Sequence, residues 1–331
     1  NMRKGSLVIL ASMIGMGITD SLIKERLENA SGMKVGTDFG LAYSPIRILP
    51  GSNLKDFATT SQFVSAVNEQ SLRSACAILN AAKKAEMIRI GSIKTAEVAN
   101  LFMDAFQDAN IALANEFAQF CERTGVDFME IQNIANRHSN CHLPTPRITK
   151  EQASKASLLL LEEATMTDVK LPMLSLARKV NNEMLRHTLH LIIDALQACN
   201  KTVRRAKVSI LGVSSHANMK ELYGSSTRKL IDLMKRKGIV VRVYDPIFSY
   251  KELLEKGYPA RRTLKETVEQ TDCLVITVGH DQFKRLNLKK IKILAKKSAA
   301  IVDMAYVIEP AKAEKEGFVY RGLGRGVLVK Q

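Results

Sequence analysis

The chain has no tryptophan, and aromatic residues make up only 5% of its 331 positions. Its five cysteines are odd in number and form no CxxC pair, so the sequence favours free thiols in a reducing cytoplasm over a disulfide framework. No apolar run approaches the roughly 20 residues of a membrane span. What is present is 46% hydrophobic residues, which is typical of a protein with aliphatic cores.

Acidic residues are scarce only in the last third of the chain. Residues 201–331 carry 28 Lys and Arg against 13 Asp and Glu, whereas residues 1–200 carry 21 against 20, so one segment holds nearly all of the net charge of +16. Such a basic field attracts polyanions such as nucleic acid, although a solvated lysine-rich surface explains it equally well. The candidates for polyanion binding are Arg204, Arg205, Lys235, Arg236, Lys237, Lys284, Arg285, Lys289 and Lys290.

The first segment has the pattern of half an α/β domain. Residues 7–10 form a short apolar run, residues 20–29 are helical in pattern, and residues 39–43 are apolar again. A parallel sheet of so few strands leaves faces and edges uncovered. Strands that precede residue 1, or another chain, are therefore expected to complete it.

The middle segment is predicted to be helical throughout. Two long helices are expected over 94–123 and 174–204, with shorter ones over 126–136 and 150–165. Helix 94–123 is apolar all round, which is typical of a buried helix.

From residue 207 onward, short apolar strands alternate with helices. This alternation predicts a parallel, doubly wound domain whose ligands bind at the carboxyl ends of its strands. The predicted fold class is therefore α/β, with an N-terminal half domain, an all-helical middle domain and a C-terminal Rossmann-like domain. The boundaries are residues 1–90, 91–204 and 205–331.

Six motifs occur in order along the chain. They are Tyr43-Ser44-Pro45-x-Arg47-x-x-Pro50-Gly51, Lys94-Thr95-Ala96-Glu97, Ile111-Ala112-Leu113-Ala114-Asn115-Glu116, Ala135-Asn136-Arg137-His138, Tyr244-Asp245-Pro246 and Gly324-Arg325-Gly326. In this order they resemble the nucleotide-sugar dehydrogenases, which include the UDP-glucose, UDP-N-acetylmannosamine and GDP-mannose dehydrogenases. Those enzymes oxidise a sugar C6 alcohol to a carboxylate with two NAD. The resemblance implies that residues 1–90 are the remnant of a dinucleotide-binding domain, followed by a dimerisation domain and a nucleotide-sugar-binding domain.

The NAD-binding strand and glycine turn of that family are expected to precede residue 1. Gly15-Met16-Gly17 lacks the third glycine of such a turn, and no acidic residue ends a following strand. At this place the family has a Thr-Val-Pro-Pro-Gly loop beside the substrate. This chain has Met13-Ile14-Gly15-Met16-Gly17 instead. No cofactor is therefore assigned to this chain, although the family uses NAD.

The resemblance also implies catalytic positions, and this chain departs from the family at five of them. Ile46 occupies the position of the family's acid/base glutamate, and Asn100 and Asp104 occupy those of the lysine and asparagine around the oxyanion. Gln152 is found in place of the nucleophilic cysteine, and Ala156 in place of its partner aspartate. Glutamine cannot form the thioester of the second oxidation, and loss of the lysine removes charge stabilisation. The resulting hypothesis is a catalytically inactive scaffold or binding protein.

Two other functions stay open. One is an NAD-dependent UDP-sugar dehydrogenase whose NAD half lies on residues or a chain outside this sequence. The other is a basic protein associated with nucleic acid or ribonucleoprotein. A different register would make Cys141 the nucleophile, but it breaks the gapless match around Pro144 and Pro146.

Two clusters could offer metal ligands, since imidazole and thiolate bind zinc. They are His138, Cys141 and His142 in a loop, and His187, His190 and Asp194 on one helical face. A solvated or interface surface is the preferred explanation for both, so no metal is assigned.

The resemblance further implies a ligand site and a partner. The candidates for ligand binding are Arg47, Asn136, Arg137, His138 and His216. His216 replaces the family's lysine and Tyr223 its arginine, so a weakened grip on the diphosphate of a nucleotide sugar is expected. A homodimer through the long central helix is also expected, and helix 174–204 is of that kind.

Overall fold

A computed structural model describes residues 2–47, 59–82, 86–149 and 155–325. The chain forms two compact units, the first made of Asn1–Gln107 with Ser154–Ser175 and the second of Asp108–Ala153 with Leu176–Gln331. These units do not follow the three predicted domains one to one, because two long helices each have residues in both units. The predicted boundaries stay predictions.

The first unit contains a four-stranded sheet in the order β1-β2-β3-β4. Its strands are β1 (Leu7–Leu10), β2 (Gly40–Tyr43), β3 (Gln62–Ala66) and β4 (Met87–Arg89). β1 is parallel to β2, β3 is antiparallel to β2, and β4 is parallel to β3. A π-helical turn (Thr19–Ile23), α1 (Lys24–Ser31) and α2 (Glu69–Ala82) accompany the sheet.

The expectation of only two strands in this segment was incomplete. β3 mixes Gln62 and Ser65 with apolar residues, and β4 is three residues long, so neither has the continuous apolar run of a buried strand. The buried Gln62 donates hydrogen bonds to the oxygens of Ser44 and therefore tolerates its position in the sheet.

Four helices follow, which confirms the helical middle region. They are α3 (Ile93–Thr124), α4 (Phe128–Ala135), α5 (Lys155–Met166) and α6 (Pro172–Ala198). None of the helices in the described ranges is long and apolar enough to cross a membrane.

The prediction that helix 94–123 is buried all round was wrong. Most alanines of α3 are buried, including Ala96, Ala114 and Ala118, whereas Phe106 is 70% exposed and Phe120 is 68% exposed. Small side chains let the buried side of the helix pack closely, whereas several bulky apolar residues, among them Phe117 and Phe120, are exposed.

The second unit contains a parallel five-stranded sheet in the order β6-β5-β7-β8-β9. Its strands are β5 (Lys207–Leu211), β6 (Val240–Tyr244), β7 (Cys273–Ile276), β8 (Ala300–Asp303) and β9 (Val319–Gly322). The helices between them are α7 (Thr227–Arg236), α8 (Tyr250–Glu255), α9 (Leu264–Val268), α10 (Asp281–Lys284), α11 (Leu288–Leu294) and α12 (Pro310–Lys315). Separate apolar clusters, one around Ile210 and Val275 and one around Leu211 and Ile276, confirm the doubly wound prediction.

The strand order reverses between β5 and β7, and such a switch point opens a crevice at the carboxyl ends of the strands. The backbone is tightly packed there. Gly212 has a φ of +98°, and a Cβ at this position would lie 2.6 Å from Cβ of Val278. Only glycine fits this approach.

Candidate nucleotide-sugar site

A cavity of about 430 Å³ lies in the second unit at this switch point. The loops after β5, β7 and β8 form much of its wall, with the start of α7 and residues 145–148. Serine and threonine predominate among its polar residues, and they are Thr145, Ser214, Ser215, Ser225, Ser226, Thr227 and Thr277. This location is the one at which doubly wound sheets bind ligands.

Arg147 contributes a guanidinium to the cavity lining. Its backbone is fixed from α3, because the Arg147 N–H donates to Oδ1 of Asn115 at 2.9 Å and Nδ2 of Asn115 donates to the Arg147 carbonyl at 3.1 Å. No carboxylate in the described part of the chain forms an ion pair with Arg147. The cavity therefore offers a positioned cation, which suits an anionic ligand such as a phosphate.

A buried polar network supports Asn115. Nδ2 of Asn115 also donates to Oδ1 of Asn181, and Nδ2 of Asn181 donates to Oδ1 of Asp108 at 2.8 Å. Nη1 of Arg178 lies 2.9 Å from both carboxylate oxygens of Asp108. The charges compensate each other and the amides are satisfied, so the network holds the Arg147 segment rigidly.

The start of α7 is a second feature suited to an anion. The helix has ten residues, and its N-cap Ser226 makes no side-chain capping hydrogen bond. Ser225, Ser226 and Thr227 all line the cavity. The N–H groups and the positive end of the helix dipole favour a phosphate here.

The loop after β8 closes another part of the wall. The buried Asp303 accepts hydrogen bonds from the N–H groups of Ala305 and Ile308, at 2.9 and 2.7 Å. Burial raises the pKa of Asp303, and these backbone hydrogen bonds oppose that effect. The Tyr306 hydroxyl in this loop donates to the Pro146 carbonyl at 3.0 Å, so two walls of the cavity are joined.

Asp245, at the end of β6, organises the loop after β5. Its Oδ2 accepts hydrogen bonds from the N–H groups of Val213 and Ser214 and from the Ser214 hydroxyl, at 2.8 to 3.0 Å. Burial raises the pKa of Asp245, but hydrogen bonds from His280 and from these groups outweigh burial and hold the pKa below its ordinary value. Asp245 is therefore a fixed carboxylate beneath the cavity wall.

In the first unit, three polar residues predicted from the resemblance lie together. Nη1 of Arg47 donates to Oδ1 of Asn100 at 2.6 Å, and Nη2 donates to Oδ1 of Asp104 at 2.7 Å. Asn100 Nδ2 lies 3.4 Å from the hydroxyl of Tyr43. Burial raises the pKa of Tyr43 to about 12, although the hydrogen bond from Asn100 lowers it. These groups satisfy one another.

The glycine turn after β1 has backbone donors that are already occupied. The carboxylate of Glu97, buried on α3, accepts hydrogen bonds from the N–H groups of Gly17 and Thr19. A pyrophosphate at this turn needs those donors and would meet a negative charge. The residues of this turn therefore do not fit the pyrophosphate of NAD.

The other predicted positions of the first unit have different surroundings. Ile46 is 51% exposed, and Met13 packs against the apolar cluster that contains the buried Ala156. Gln152 lies outside the described residues. The roles assigned to these positions stay predictions.

Of the predicted ligand-binding residues in the second unit, only His216 lines the cavity. Asn136 instead holds the following loop, since its side chain bonds the N–H and the carbonyl of Leu143. Arg137 and His138 lie in an exposed turn after α4, and Tyr223 is 62% exposed. Ligand binding by these residues stays a prediction.

The two histidine clusters are engaged otherwise or open to solvent. Nε2 of His187 lies 2.7 Å from the buried Glu122, and Asp194 pairs with Arg321. Cys141 is an exposed free thiol, while the other four cysteines are buried. Among the described residues, no group of three His, Cys, Asp or Glu could hold a metal ion.

The basic residues are spread over the second unit. Arg204 and Arg205 precede β5, Lys235 to Lys237 end α7, and the others lie in or beside α10 and α11. Lys284 and Lys289 line a second cavity of about 430 Å³ with Lys312 and Lys315, where Lys284 pairs with Asp281 and Lys312 with Glu309. Binding of a polyanion stays a prediction.

The sequence reasoning did not single out Arg147, Asn115 as its anchor, or the hydroxyl residues of the cavity. A signal was available. Ser214 and Ser215 come shortly after the apolar run of residues 208–211, and Ser225 to Thr227 stand at the start of the helical pattern of residues 226–237. Phosphate sites of doubly wound domains lie at such places.

Two family models match the chain. Residues 94–183 match the central domain of the UDP-glucose/GDP-mannose dehydrogenase family, and residues 209–310 match its UDP binding domain. The cavity is thus lined largely by residues of the segment that matches the UDP binding domain.

Curated relatives are similar over most of the chain. UDP-N-acetyl-D-mannosamine dehydrogenase of Pyrococcus horikoshii is 30% identical over 327 residues, which cover 98% of this chain and 74% of the relative. The enzyme of the same name from Methanocaldococcus jannaschii is 29% identical and covers 98% of this chain and 72% of the relative. The Methanococcus vannielii enzyme is 28% identical, and this chain spans 65% of its length.

Solved structures agree with the fold. The UDP-D-ManNAc dehydrogenase of Pyrococcus horikoshii superposes with a TM-score of 0.86 at 29% identity, over 98% of this chain and 74% of that one. The NDP-N-acetyl-D-galactosaminuronic acid dehydrogenase of Methanosarcina mazei gives 0.84 at 28% identity, over 98% and 70%.

These relatives contradict the hypothesis of an inactive scaffold. Proteins that are 29–30% identical over 98% of the chain are named as dehydrogenases, so the comparisons support a dehydrogenase. The same finding sets aside the alternative of a nucleic-acid or ribonucleoprotein-associated protein. On the similarity of sequence and fold, the chain belongs to the UDP-glucose/GDP-mannose dehydrogenase family.

Proposed function

We propose that this chain binds a UDP-sugar in the cavity of its second unit and acts as a UDP-sugar dehydrogenase. The observation that carries the proposal is the placement of Arg147 in a hydroxyl-rich cavity at the switch point, lined mainly by residues of the segment that matches a UDP binding domain. The diphosphate is the part of the substrate that Arg147 and the start of α7 suit best.

The substrate class comes from the relatives. Several of them are named UDP-N-acetyl-D-mannosamine dehydrogenase, so a UDP-N-acetylhexosamine is the first candidate. The family reaction oxidises the sugar C6 alcohol to a carboxylate and reduces two NAD. The cavity residues contribute to this reaction by binding and orienting the nucleotide.

Binding and turnover need separate measurements. Isothermal titration with UDP should show binding, and Arg147→Ala should weaken it by roughly tenfold or more, since a hydrogen bond from a charged group is lost. Arg186→Ala is the matched control, because Arg186 is an exposed arginine of the same unit, paired with Glu183. Equal affinities in all three proteins would overturn the assignment of Arg147.

The dehydrogenase activity is tested by NADH production at 340 nm with UDP-N-acetylmannosamine, UDP-N-acetylglucosamine and UDP-glucose. NADH formation that depends on the sugar supports the proposal. UDP binding without NADH formation from any of these substrates would contradict the dehydrogenase and leave only the nucleotide site.

A second copy of the chain is the proposed partner. The sequence pointed to helix 174–204, but α3 has a larger exposed apolar face, with Leu113, Phe117 and Phe120 in the second unit. Exposed apolar patches of this kind mark interaction surfaces. Light scattering after gel filtration should give twice the chain mass of 36.7 kDa.

The double variant Phe117→Glu with Phe120→Glu is expected to be monomeric. Ile293→Glu is the control, since Ile293 is an exposed apolar residue on α11 and not on α3, 82% exposed. A monomeric wild-type protein would contradict the proposal that a second copy of the chain is the partner.

A further inference from the structure

His280 is a fully buried histidine of the second unit that the proposed function does not use. It follows β7 and directly precedes α10. Its ring packs edge-on against Phe283, with ring centroids 5.4 Å apart. It is not among the residues that line the cavity, although its neighbour Gly279 is. A buried polar ring is stable only if its nitrogens have hydrogen-bond partners.

Both ring nitrogens of His280 have partners. Nδ1 accepts a hydrogen bond from the backbone N–H of Asn218 at 2.9 Å. Nε2 lies 3.3 Å from Oδ2 of Asp245. Because a backbone N–H can only donate, Nδ1 must be unprotonated, and the neutral ring therefore carries its proton on Nε2 and donates it to Asp245.

These contacts connect the ends of three neighbouring strands. Asp245 after β6 holds the start of the loop after β5, through the N–H groups of Val213 and Ser214. His280 after β7 holds the end of the same loop, at Asn218. Asn218 has a φ of +59° and is further joined to Asp281 by two side-chain hydrogen bonds. The loop between these two anchors contributes Ser214 to Ala217 to the cavity wall.

Ser214, His280 and Asp245 have the composition of a hydrolase triad, but their geometry is different. The Ser214 hydroxyl donates directly to Asp245 at 2.8 Å, and all three residues are buried. In a triad, the histidine lies between the hydroxyl and the carboxylate. A structural connection between loops is what this arrangement provides.

We propose that His280 is a positioning residue, whose Nδ1 acceptor fixes the loop from Val213 to Asn218 in the conformation that binds the diphosphate of the nucleotide. This proposal rests on the proposed function, because it assumes that the cavity is the nucleotide site. Without the acceptor, the partly buried Asn218 N–H loses its partner inside the protein, so the end of the loop is no longer fixed to β7.

Two amide variants distinguish the roles of the two ring nitrogens of His280. His280→Asn places Oδ1 near the position of Nδ1 and keeps the acceptor, whereas His280→Gln places its amide near Nε2 and keeps only the contact to Asp245. We expect His280→Gln to weaken UDP binding by roughly tenfold, and His280→Asn to stay within about threefold of the wild type. With a UDP-sugar substrate, His280→Gln should raise KM and leave kcat nearly unchanged.

Hydrogen exchange gives a readout that needs no nucleotide. The amides of residues 213–218 should exchange faster in His280→Gln than in His280→Asn. If the wild type binds no UDP, the proposed function fails and the effect on affinity fails with it, while the exchange rates still decide whether His280 positions the loop. Equal exchange and equal affinity in both variants would overturn the proposal.

The wild-type protein alone gives a further test, in case a variant does not fold. Nitrogen-15 spectra of labelled histidine distinguish the tautomers of the six histidine rings. At neutral pH, His280 should carry its proton on Nε2 with Nδ1 free. A proton on Nδ1 would remove the acceptor and refute the assignment.

Discussion

Arginine is used in opposite ways in the two compact units. In the first unit, Arg47 is bound by Asn100 and Asp104, and the charges of this cluster are compensated within it. In the second unit, Arg147 lines a cavity and has no carboxylate partner among the described residues, although its backbone is held by Asn115. The first arrangement stabilises the fold, and the second keeps a charge available for a ligand.

The difference indicates which groups must stabilise the chain around an arginine that has no carboxylate partner. A cation can stay free for a ligand only if the chain around it is fixed by other groups. In the second unit that task falls on the buried network of Asp108, Arg178, Asn181 and Asn115. Removing a member of this network should therefore cost far more stability than removing Arg147.

The largest effect is expected for Arg178→Met. The Asp108 side chain is fully buried and Arg178 pairs with it, so the variant removes a cation from a buried carboxylate. Breaking such a pair costs about 3–5 kcal/mol in the free energy of unfolding. Urea denaturation followed by circular dichroism measures the loss.

The matched control is Arg186→Met on the same helix, α6. Its partner Glu183 is exposed, and such a surface pair contributes about 0–1 kcal/mol. Similar losses in the two variants would contradict the view that the buried network supports the cavity.

A smaller effect is expected for Arg47→Met in the first unit. The pair of Arg47 and Asp104 is about one-quarter exposed, so water can replace part of the lost interaction. The loss should be about 1–2 kcal/mol. Thermal unfolding measures the loss of stability in Arg47→Met and in the control Arg73→Met, which removes the exposed pair of Arg73 with Glu69. If Arg47→Met leaves stability unchanged, its cluster is not a stabilising element, and the contrast between the two arginines disappears.

Sequence patterns predicted the alternation in the second unit well, because β5 to β8 are short, mainly apolar strands between helices, whereas β9 contains Arg321 and lacks such a run. They predicted α3 poorly, because apolar composition does not distinguish a buried face from one that a partner could cover. The motif at Asn115 was visible in the sequence, but its role was not. Asn115 binds the backbone of Arg147, 32 positions away, and only the fold brings the two together.

The same reason explains why His280 and Asp245 were not predicted as a pair. Each ends a different strand, β7 or β6, and a parallel sheet brings their loops together across 35 positions. Tyr244-Asp245-Pro246 was one of the motifs of the family resemblance, but nothing in it indicated a contact with His280. The hydrogen bonds that hold the cavity loop depend on strand order, which the spacing of motifs does not reveal.

The smallest effect concerns the pH dependence of the second unit. Since the folded-state pKa of Asp245 lies below its ordinary value, its contribution to stability is complete above pH of about 4 and is lost as the pH falls toward the folded-state pKa. In that acidic range the unfolded chain binds one more proton than the folded chain, so the slope from this group is at most about 1.4 kcal/mol per pH unit.

Asp245→Asn removes this dependence. The stability gap between wild type and variant should therefore be constant from pH 7 to about pH 5 and should narrow below about pH 4. Asp232→Asn, at an exposed position on α7 in the same unit, controls for loss of a carboxylate. Urea denaturation at each pH gives the gap. A constant gap down to about pH 3 would mean that Asp245 is not held ionised by the loop, and that the anchor beneath the cavity is weaker than its hydrogen bonds indicate.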